Sequence, residues 1–213
     1  MGALTRREST PAPALIEWGL AGSPLPGETR SGDGSLVHFF AQGVLVAVVD
    51  GLGHGDEAAT AAEAALDALR GHATEPMPSL IRRCHEACRA TRGVAMAAVS
   101  FRADSPTMTW VGVGNVEGLF KPAGAERRPP HFWLPQRGGV VGYWLPTFRT
   151  STHPVDRGDT LILATDGIRP GFAEEPRIAE LPPQLAATRI LQKFARRMDD
   201  ALVLVVRYRG FDQ

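Results

Sequence analysis

Three strongly apolar stretches of this chain meet an aspartate at one end. They are VLVAVVDG at 44–51, DTLILATDG at 159–167 and MDDALVLVV at 198–206. Short continuous apolar runs of this length are typical of strands with little exposure to solvent. Aspartate is disfavoured within strands and is costly to bury unless its charge is compensated. We therefore expect a fold in which buried strands carry carboxylates at their ends, next to a positively charged group or ion that offsets their charge.

The order of the predicted elements favours antiparallel sheets. Adjacent strands are joined mostly by short turns such as ADSP at 103–106, whereas a parallel sheet needs a long crossover between strands. We predict an α+β chain (α/β in the broad sense) folded as a four-layer αββα sandwich, with two antiparallel sheets flanked by helices. The predicted strands lie at 15–23, 36–40, 44–49, 94–101, 107–114, 116–122, 140–145, 159–168 and 199–210, and the predicted helices at 56–70, 78–92 and 184–197.

Composition limits the domain organisation and the choice of partners. The 213 residues, 44% of them hydrophobic, suit a single domain at 14–213 preceded by a flexible N-terminal arm at 1–13. Because 23 basic and 23 acidic residues cancel, the charge gives no reason to expect nucleic acid or a membrane surface as partner. No apolar run approaches the roughly 20 residues that cross a bilayer, and none resembles a signal peptide. We expect a cytoplasmic protein.

The two cysteines allow two interpretations. Cys84 and Cys88 lie four residues apart in a predicted helix and so share a face. They are either small buried thiols or, with His85, part of a metal site. The first is favoured, because His85 points off that face and no second Cys/His pair completes four ligands. Two reduced thiols suit a reducing cytosol.

A fourth aspartate, in SGDGS at 31–35, extends the pattern of carboxylates beside glycine. One Asp-Gly after a strand is usually only a turn, but the repetition suggests a common pocket. If the strand ends converge, the carboxylates need divalent cations, since no lysine lies nearby. Oxygen ligands without Cys or a His pair favour Mg²⁺ or Mn²⁺ over Zn²⁺. The residues concerned are Asp33, Asp50, Asp166, Asp199 and Asp200, together with Gly51, whose carbonyl can approach an ion closely.

The motif order SGDG, VVDGLGHG, ATDG and MDDALVLVV resembles that of the PPM family of metal-dependent Ser/Thr protein phosphatases. The resemblance spans about residues 28–207 and is strongest to the short bacterial branch of sporulation and stress-response phosphatases, which includes a stressosome phosphatase. It implies the PPM αββα sandwich, in agreement with the order of the strands.

The resemblance also implies a set of ligands for two ions. Asp50 would bridge the two ions, with the Gly51 carbonyl on one of them. Asp33 would serve the first ion directly or through water. Asp166 and Asp199 would bind the second. The same four aspartates are the implied catalytic residues, with Mn²⁺ or Mg²⁺ as the cofactor.

Four further residues depart from the family pattern or have an open role. Asp200 stands where eukaryotic relatives carry Asn and ranks below the other aspartates. Asn115 replaces an aspartate that helps many relatives bind a third metal, so we expect two ions. Arg30 does not occupy the position of the eukaryotic phosphate-binding arginine. His54 is either the acid that protonates the leaving oxygen or a loop histidine that donates to a backbone carbonyl.

The implied function is hydrolysis of phosphoserine or phosphothreonine by water that two metal ions activate. The implied substrate is a phosphorylated STAS-domain protein of the stressosome. Two alternatives stay open: a phosphorylated anti-anti-sigma factor as substrate, or a pseudophosphatase that binds without turnover. A haloacid-dehalogenase site is disfavoured, because it needs a second acid where this chain has Leu52 and Ile168. The short predicted flap at 123–139 suits a folded protein substrate. The arginines of 188–197 are expected on the solvated face of the last helix.

Overall fold

The computed structural model describes residues 15–124 and 129–210, which form ten strands and three α-helices. The predicted arm at 1–13 and part of the predicted flap lie outside the described residues. The strands are β1 (Ile16–Ser23), β2 (Asp33–Phe40), β3 (Gly43–Gly51), β4 (Val94–Arg102), β5 (Thr107–Val113), β6 (Glu117–Lys121), β7 (Phe132–Trp133), β8 (Ser151–Pro154), β9 (Thr160–Ala164) and β10 (Ala201–Tyr208). The helices are α1 (Gly55–Gly71), α2 (Met77–Ala87) and α3 (Pro183–Phe194), with two short 3₁₀ helices at Pro170–Glu174 and Ile178–Glu180.

The strands form two five-stranded sheets in which every strand pair is antiparallel. The first sheet has the order β2-β3-β4-β5-β8, and the second has the order β1-β10-β9-β6-β7. One apolar core lies between the two sheets. Helices α1 and α2 cover the outer face of the first sheet, and α3 covers that of the second. The predicted αββα sandwich is confirmed.

The unbroken apolar run in β3 follows from this layering. Val44, Val46 and Val48 enter the core between the sheets, whereas the residues between them face α1 and α2. Because both faces of the strand are covered, both sets of side chains must be apolar, although the sheet is antiparallel. The same alternation occurs in β10, where Leu204 lies between the sheets and Val205 faces α3.

Cys84, in α2, and Cys88, the residue just after this helix, are buried against α1. Cys84 and Cys88 are free thiols with no exposed surface, and their Sγ atoms lie 3.8 Å from the carbonyl oxygens of Ala65 and Ala61. Burial raises the pKa of Cys84 to about 12 and that of Cys88 to about 11. The Nδ1 atom of His85 instead accepts a hydrogen bond from the Gly142 amide at 3.0 Å. This is the packing that the buried-thiol interpretation predicts.

Two predicted elements differ from the structure because local hydrogen bonds compete with them. Helix α2 ends at Ala87 instead of residue 92. Beyond it, the Thr91 hydroxyl donates to the Cys88 carbonyl at 2.7 Å and accepts from the Gly93 amide at 3.1 Å. The stretch 140–145 is a turn rather than a strand, because Gly142 has a φ of 102° and the chain folds back on itself.

Helix α3 ends at Phe194 instead of residue 197, which changes the position of two arginines. Ala195 is extended and pairs with Ile168, and the Arg196 amide donates to the Gly167 carbonyl at 2.7 Å. Arg196 therefore lies in the segment that follows the helix and Arg197 in the next turn, and neither lies on the solvated face of a helix. Among the helices of the described residues, none combines the length and apolar character that a membrane crossing requires.

Candidate active site

The ends of four strands bring carboxylates of both sheets together. Asp33 at the start of β2 is the cross-strand partner of Asp50 near the end of β3. Asp166 follows β9, and Asp199 precedes the neighbouring strand β10. Three of the four predicted aspartates line one open cavity of about 320 Å³, and Asp33 is paired with one of them, Asp50. The cavity is lined by Asp50, Leu52, Gly53, His54, Asn115, Asp166, Met198 and Asp199.

Asp33 is tied to the opposite sheet by a hydrogen bond. The hydroxyl of Thr165 donates to Asp33 Oδ2 at 2.7 Å, and Thr165 is the residue immediately before Asp166. Thr165 is almost fully buried, and its amide donates to the Leu202 carbonyl at 3.1 Å. The bond therefore fixes the start of β2 relative to the end of β9.

The carboxylates are close enough to raise one another's pKa. Burial, and after it the charge of Asp50, raise the pKa of Asp33 to about 8. Burial, with the charges of Asp166 and Asp199, raises the pKa of Asp50 to about 7. The pKa of Asp199 is also raised, by burial and then by Asp166. Across the described chain none of these four carboxylates forms an ion pair, so the cluster lacks a compensating cation of its own.

The donor set fits a hard divalent cation. It consists of carboxylate oxygens with uncompensated negative charge around a cavity open to solvent, the chemistry that Mg²⁺ and Mn²⁺ prefer. Within residues 15–124 and 129–210, no three Asp, Glu, His or Cys side chains are close enough, as they stand, to enclose an ion. The side chains would have to move closer together on binding. The charge of the ion would favour this movement, because it offsets the mutual repulsion of the carboxylates.

Gly51 has a packing role that the sequence did not reveal. A Cβ atom at this position would lie 2.1 Å from the carbonyl oxygen of Ala58, so α1 can pack here only against a glycine. Gly167 is similar, because its Cβ would lie 1.8 Å from the Asp200 carbonyl oxygen. The glycine of each Asp-Gly pair is thus required by close backbone packing. Ligation by the Gly51 carbonyl stays a prediction.

Asp200 has a structural position that differs from that of its neighbour Asp199. Its carboxylate is buried and accepts the amides of Leu25 and Gly32, each at 2.8 Å. It thereby holds the loop that leads into β2. Both of its oxygens already have partners, and it does not line the cavity. These contacts agree with the prediction that Asp200 is a weaker candidate for a metal ligand than the other aspartates.

His54 lies at the rim of the cavity, and its side chain is 60% exposed. Its Nδ1 atom lies 2.8 Å from Glu28 Oε1, so its partner is a carboxylate and not the backbone carbonyl of the predicted loop role. The hydrogen bond leaves Nε2 without a partner among the described residues. Sequence reasoning missed Glu28, because no spacing or motif connects it with a residue 26 positions away.

Asn115 connects two of the aspartates. Its Nδ2 atom donates to Asp166 Oδ2 at 2.6 Å, and a hydrogen bond from the same side chain lowers the pKa of Asp50 against the larger effects that raise it. It is a neutral donor between two carboxylates. Arg30 is directed elsewhere: it bonds to Asp56 at 3.1 Å and to Glu63 at 2.7 Å.

The two stacked antiparallel sheets with an acidic cavity at their ends define a phosphatase fold of the PP2C type. The structure matches the catalytic domain of the serine/threonine phosphatase PstP in complex with two manganese ions, with a TM-score of 0.66. The sequences are 16% identical, and the match covers 92% of this chain and 99% of that one. The sequence model of the family described as Stage II sporulation protein E (SpoIIE) matches residues 41–209. The chain belongs to the SpoIIE family.

Three further comparisons concern RsbX and a stressosome structure. Phosphoserine phosphatase RsbX of Bacillus subtilis (strain 168) is 29% identical over 143 residues, which are 67% of this chain and 69% of RsbX. The crystal structure of RsbX in complex with magnesium has the same fold, with a TM-score of 0.77 at 21% identity over 94% of this chain and 98% of that one. A chain from a structure of the bacterial stressosome, a modular system adapted to control secondary messenger signaling, has a TM-score of 0.83 at 28% identity. That match covers 90% of this chain and 99% of the other. The predicted relationship to the PPM phosphatases is confirmed.

Proposed function

We propose that this protein is a metal-dependent protein serine/threonine phosphatase that hydrolyses phosphoserine or phosphothreonine on a stress-signalling partner. The observation that carries the proposal is the meeting of Asp50, Asp166 and Asp199 around one open cavity, without a cation to offset their charge. Membership of the SpoIIE family and the similarity to the phosphoserine phosphatase RsbX support the same activity.

We assign two Mg²⁺ or Mn²⁺ ions to the carboxylate cluster. Asp50 would bridge them, Gly51 and Asp33 would serve the first, and Asp166 and Asp199 would hold the second. When bound, such ions lower the pKa of water and offset the charge of the phosphoryl oxygens. Support comes from the oxygen-only donor set and from relatives crystallised with magnesium and with two manganese ions.

The other residues of the cavity would position the substrate and move a proton. Asn115 holds Asp166 and restrains the carboxylates before an ion binds. Glu28 fixes the Nδ1 side of His54, so Nε2 is the nitrogen available to the cavity. We assign to His54 the proton that the leaving serine oxygen takes up, because His54 lines the cavity and histidine is the side chain that most often serves as a general acid.

The substrate we propose is a phosphorylated STAS-domain protein of a stressosome. This rests on the similarity to RsbX and to a chain from the stressosome structure. We also retain one domain at 14–213 and a cytoplasmic location, which two free buried thiols suit because such thiols are typical of reducing compartments.

The decisive test compares candidate substrates directly. Purified protein would be incubated with a phosphorylated STAS-domain scaffold or a phosphorylated anti-anti-sigma factor, with and without Mn²⁺ or Mg²⁺, and released phosphate would be measured. We expect metal-stimulated release that is faster from the scaffold and absent in the Asp50→Asn variant. Faster release from the anti-anti-sigma factor would reassign the substrate. Binding without metal-stimulated release would identify a pseudophosphatase.

A further inference from the structure

The segment that enters the cavity at Asp199 carries three side chains that the fold does not use. Arg196, Arg197 and Met198 are all exposed, and Met198, at 88%, lines the cavity. Neither guanidinium group makes a hydrogen bond or ion pair with a described residue. Most arginines of the described chain have such partners; Arg30 and Arg92, which also lie near the cavity, bond to carboxylates of α1.

The backbone of this segment is nevertheless held firmly. The Arg196 amide donates to the Gly167 carbonyl at 2.7 Å, and Ala195 pairs with Ile168. At the other end, Asp199 Oδ1 accepts the Asp200 amide at 2.9 Å. The segment is thus anchored to the loop of Asp166, and the two residues that follow Arg197, Met198 and Asp199, line the cavity.

The charges of Arg196 and of Asp166 both act on one carboxylate, that of Glu117. Glu117, at the start of β6, has a pKa raised by burial; the charge of Arg196 lowers it again, and that of Asp166 raises it. Glu117 is therefore within electrostatic reach of both groups, but it forms no ion pair with Arg196. The guanidinium groups of Arg196 and Arg197 are free to meet anionic groups from outside the protein.

We infer that Arg196 and Arg197 bind acidic side chains next to the phosphorylated serine or threonine, so that the preferred substrate is a phosphoprotein segment with acidic flanking residues. The inference rests on the proposed phosphatase function. Guanidinium groups suit carboxylates because their planar donors match the two oxygens. Met198 adds an apolar contact at the rim, which a protein segment can cover and a small phosphorylated metabolite cannot.

The test uses two phosphoserine peptides that differ only in their flanking residues, glutamate in one and glutamine in the other. With Mn²⁺ present, we expect kcat/KM to be about tenfold higher for the acidic peptide, the combined effect of two exposed charge pairs. The ratio should fall as ionic strength rises, because exposed charges are screened. In the Arg196→Ala/Arg197→Ala variant the ratio should fall to about one.

Arg82→Ala is the matched control, because Arg82 is an exposed arginine of α2 that has no side-chain partner among the described residues and does not line the cavity. The control should keep the preference of the wild type, and circular dichroism should show that all variants are folded. Equal hydrolysis of the two peptides, or a preference that survives in the double variant, would overturn the inference. If the wild type releases phosphate from neither peptide nor from para-nitrophenyl phosphate, the proposed function itself fails.

Discussion

Asp33 and Asp50 are directly paired across the β2–β3 ladder, so two carboxylates lie side by side at one end of the first sheet. Like charges in directly opposite positions destabilise a sheet, and here burial adds to the cost. Burial is the largest cause that raises the pKa of both groups; the charge of Asp50 also raises that of Asp33, and the charges of Asp166 and Asp199 raise that of Asp50. The pairing has no evident structural benefit, and a bound cation that compensates both charges would explain it.

The first prediction concerns Asp50. Asp50→Asn should reduce phosphatase activity to background while the metal-free protein unfolds a few degrees higher, because one charge of a repelling cluster is removed. Phosphate release with Mn²⁺ and thermal unfolding in EDTA measure the two effects. Asp67→Asn, at an exposed position of α1 paired with Arg70, is the control and should keep full activity. Hydrolysis of phosphoserine at the wild-type rate by the Asp50 variant would contradict the assignment.

The second prediction concerns pH. The folded state raises the pKa from 3.8 to about 8 for Asp33 and to about 7 for Asp50. Folding therefore favours the protonated form of both carboxylates. The unfolded chain loses these protons near pH 4 and the folded chain only near pH 7–8, so stability falls as pH rises through this range. In EDTA, the urea midpoint should therefore be lower at pH 8 than at pH 5. Added Mg²⁺ should restore much of the loss at pH 8.

Comparison with the Asp33→Asn/Asp50→Asn double variant isolates these two groups. Its urea midpoint in EDTA should change less between pH 5 and pH 8 than that of the wild type. An equally steep pH dependence in the double variant would place the titrating groups elsewhere.

The third prediction separates two neighbouring aspartates. Asp200→Ala should destabilise the protein by about 2–4 kcal/mol, because the buried amide of Gly32 and the partly buried amide of Leu25 lose their acceptor. Asp199→Asn should not lower the urea midpoint but should weaken Mn²⁺ binding in calorimetry. The reverse pattern, with Asp199 needed for stability and Asp200 for the metal, would refute the division of roles.

The fourth prediction concerns His54 and its partner Glu28. If His54 protonates the leaving oxygen, His54→Ala should lower kcat about 100-fold for a phosphoserine peptide. The effect should be small for para-nitrophenyl phosphate, whose leaving group needs no proton. Glu28→Gln should show a weaker form of the same difference, and His72→Ala, at the far end of α1, should show none. An equal loss with both substrates would indicate a positioning role only.

The fifth prediction concerns the packing of α1 on the end of β3. Gly51→Ala should destabilise the protein by about 3 kcal/mol, since the added methyl group meets the Ala58 carbonyl oxygen at 2.1 Å. Gly71→Ala is the matched control, because its methyl group meets nothing within 4 Å. That variant should be neutral or about 0.5–1 kcal/mol more stable, through the lower entropy of its unfolded chain. A tolerated Gly51→Ala would mean that α1 can move away from β3.

Local patterns were enough to predict the parts of the fold that depend on burial. The continuous apolar runs at β3 and β10 and the aspartates beside them predicted the strands and the convergence of their ends. The Ala-rich stretch predicted α1 within a residue at each end. In each case the signal lies in neighbouring residues, because periodicity and turn chemistry act over short distances.

The parts that the sequence did not predict depend on contacts between distant residues. Strand β8, with the sequence STHP, has no apolar pattern and is defined by its pairing with β5. The early end of α3 depends on hydrogen bonds to the loop after Asp166. The His54–Glu28 pair and the loop contacts of Asp200 join residues 26 and at least 168 positions apart.

Asp33 and Asp50 belong to one sheet, Asp166 and Asp199 to the other, and the Thr165–Asp33 hydrogen bond crosses between them. Neither half of the sandwich carries all of the proposed ligands. Catalysis would therefore begin only after the two halves have docked in register, and any perturbation that lets them slide apart should silence the enzyme before it unfolds. Bound ions would in turn hold the two sheets together, because each ion would have ligands that come from the ends of their strands.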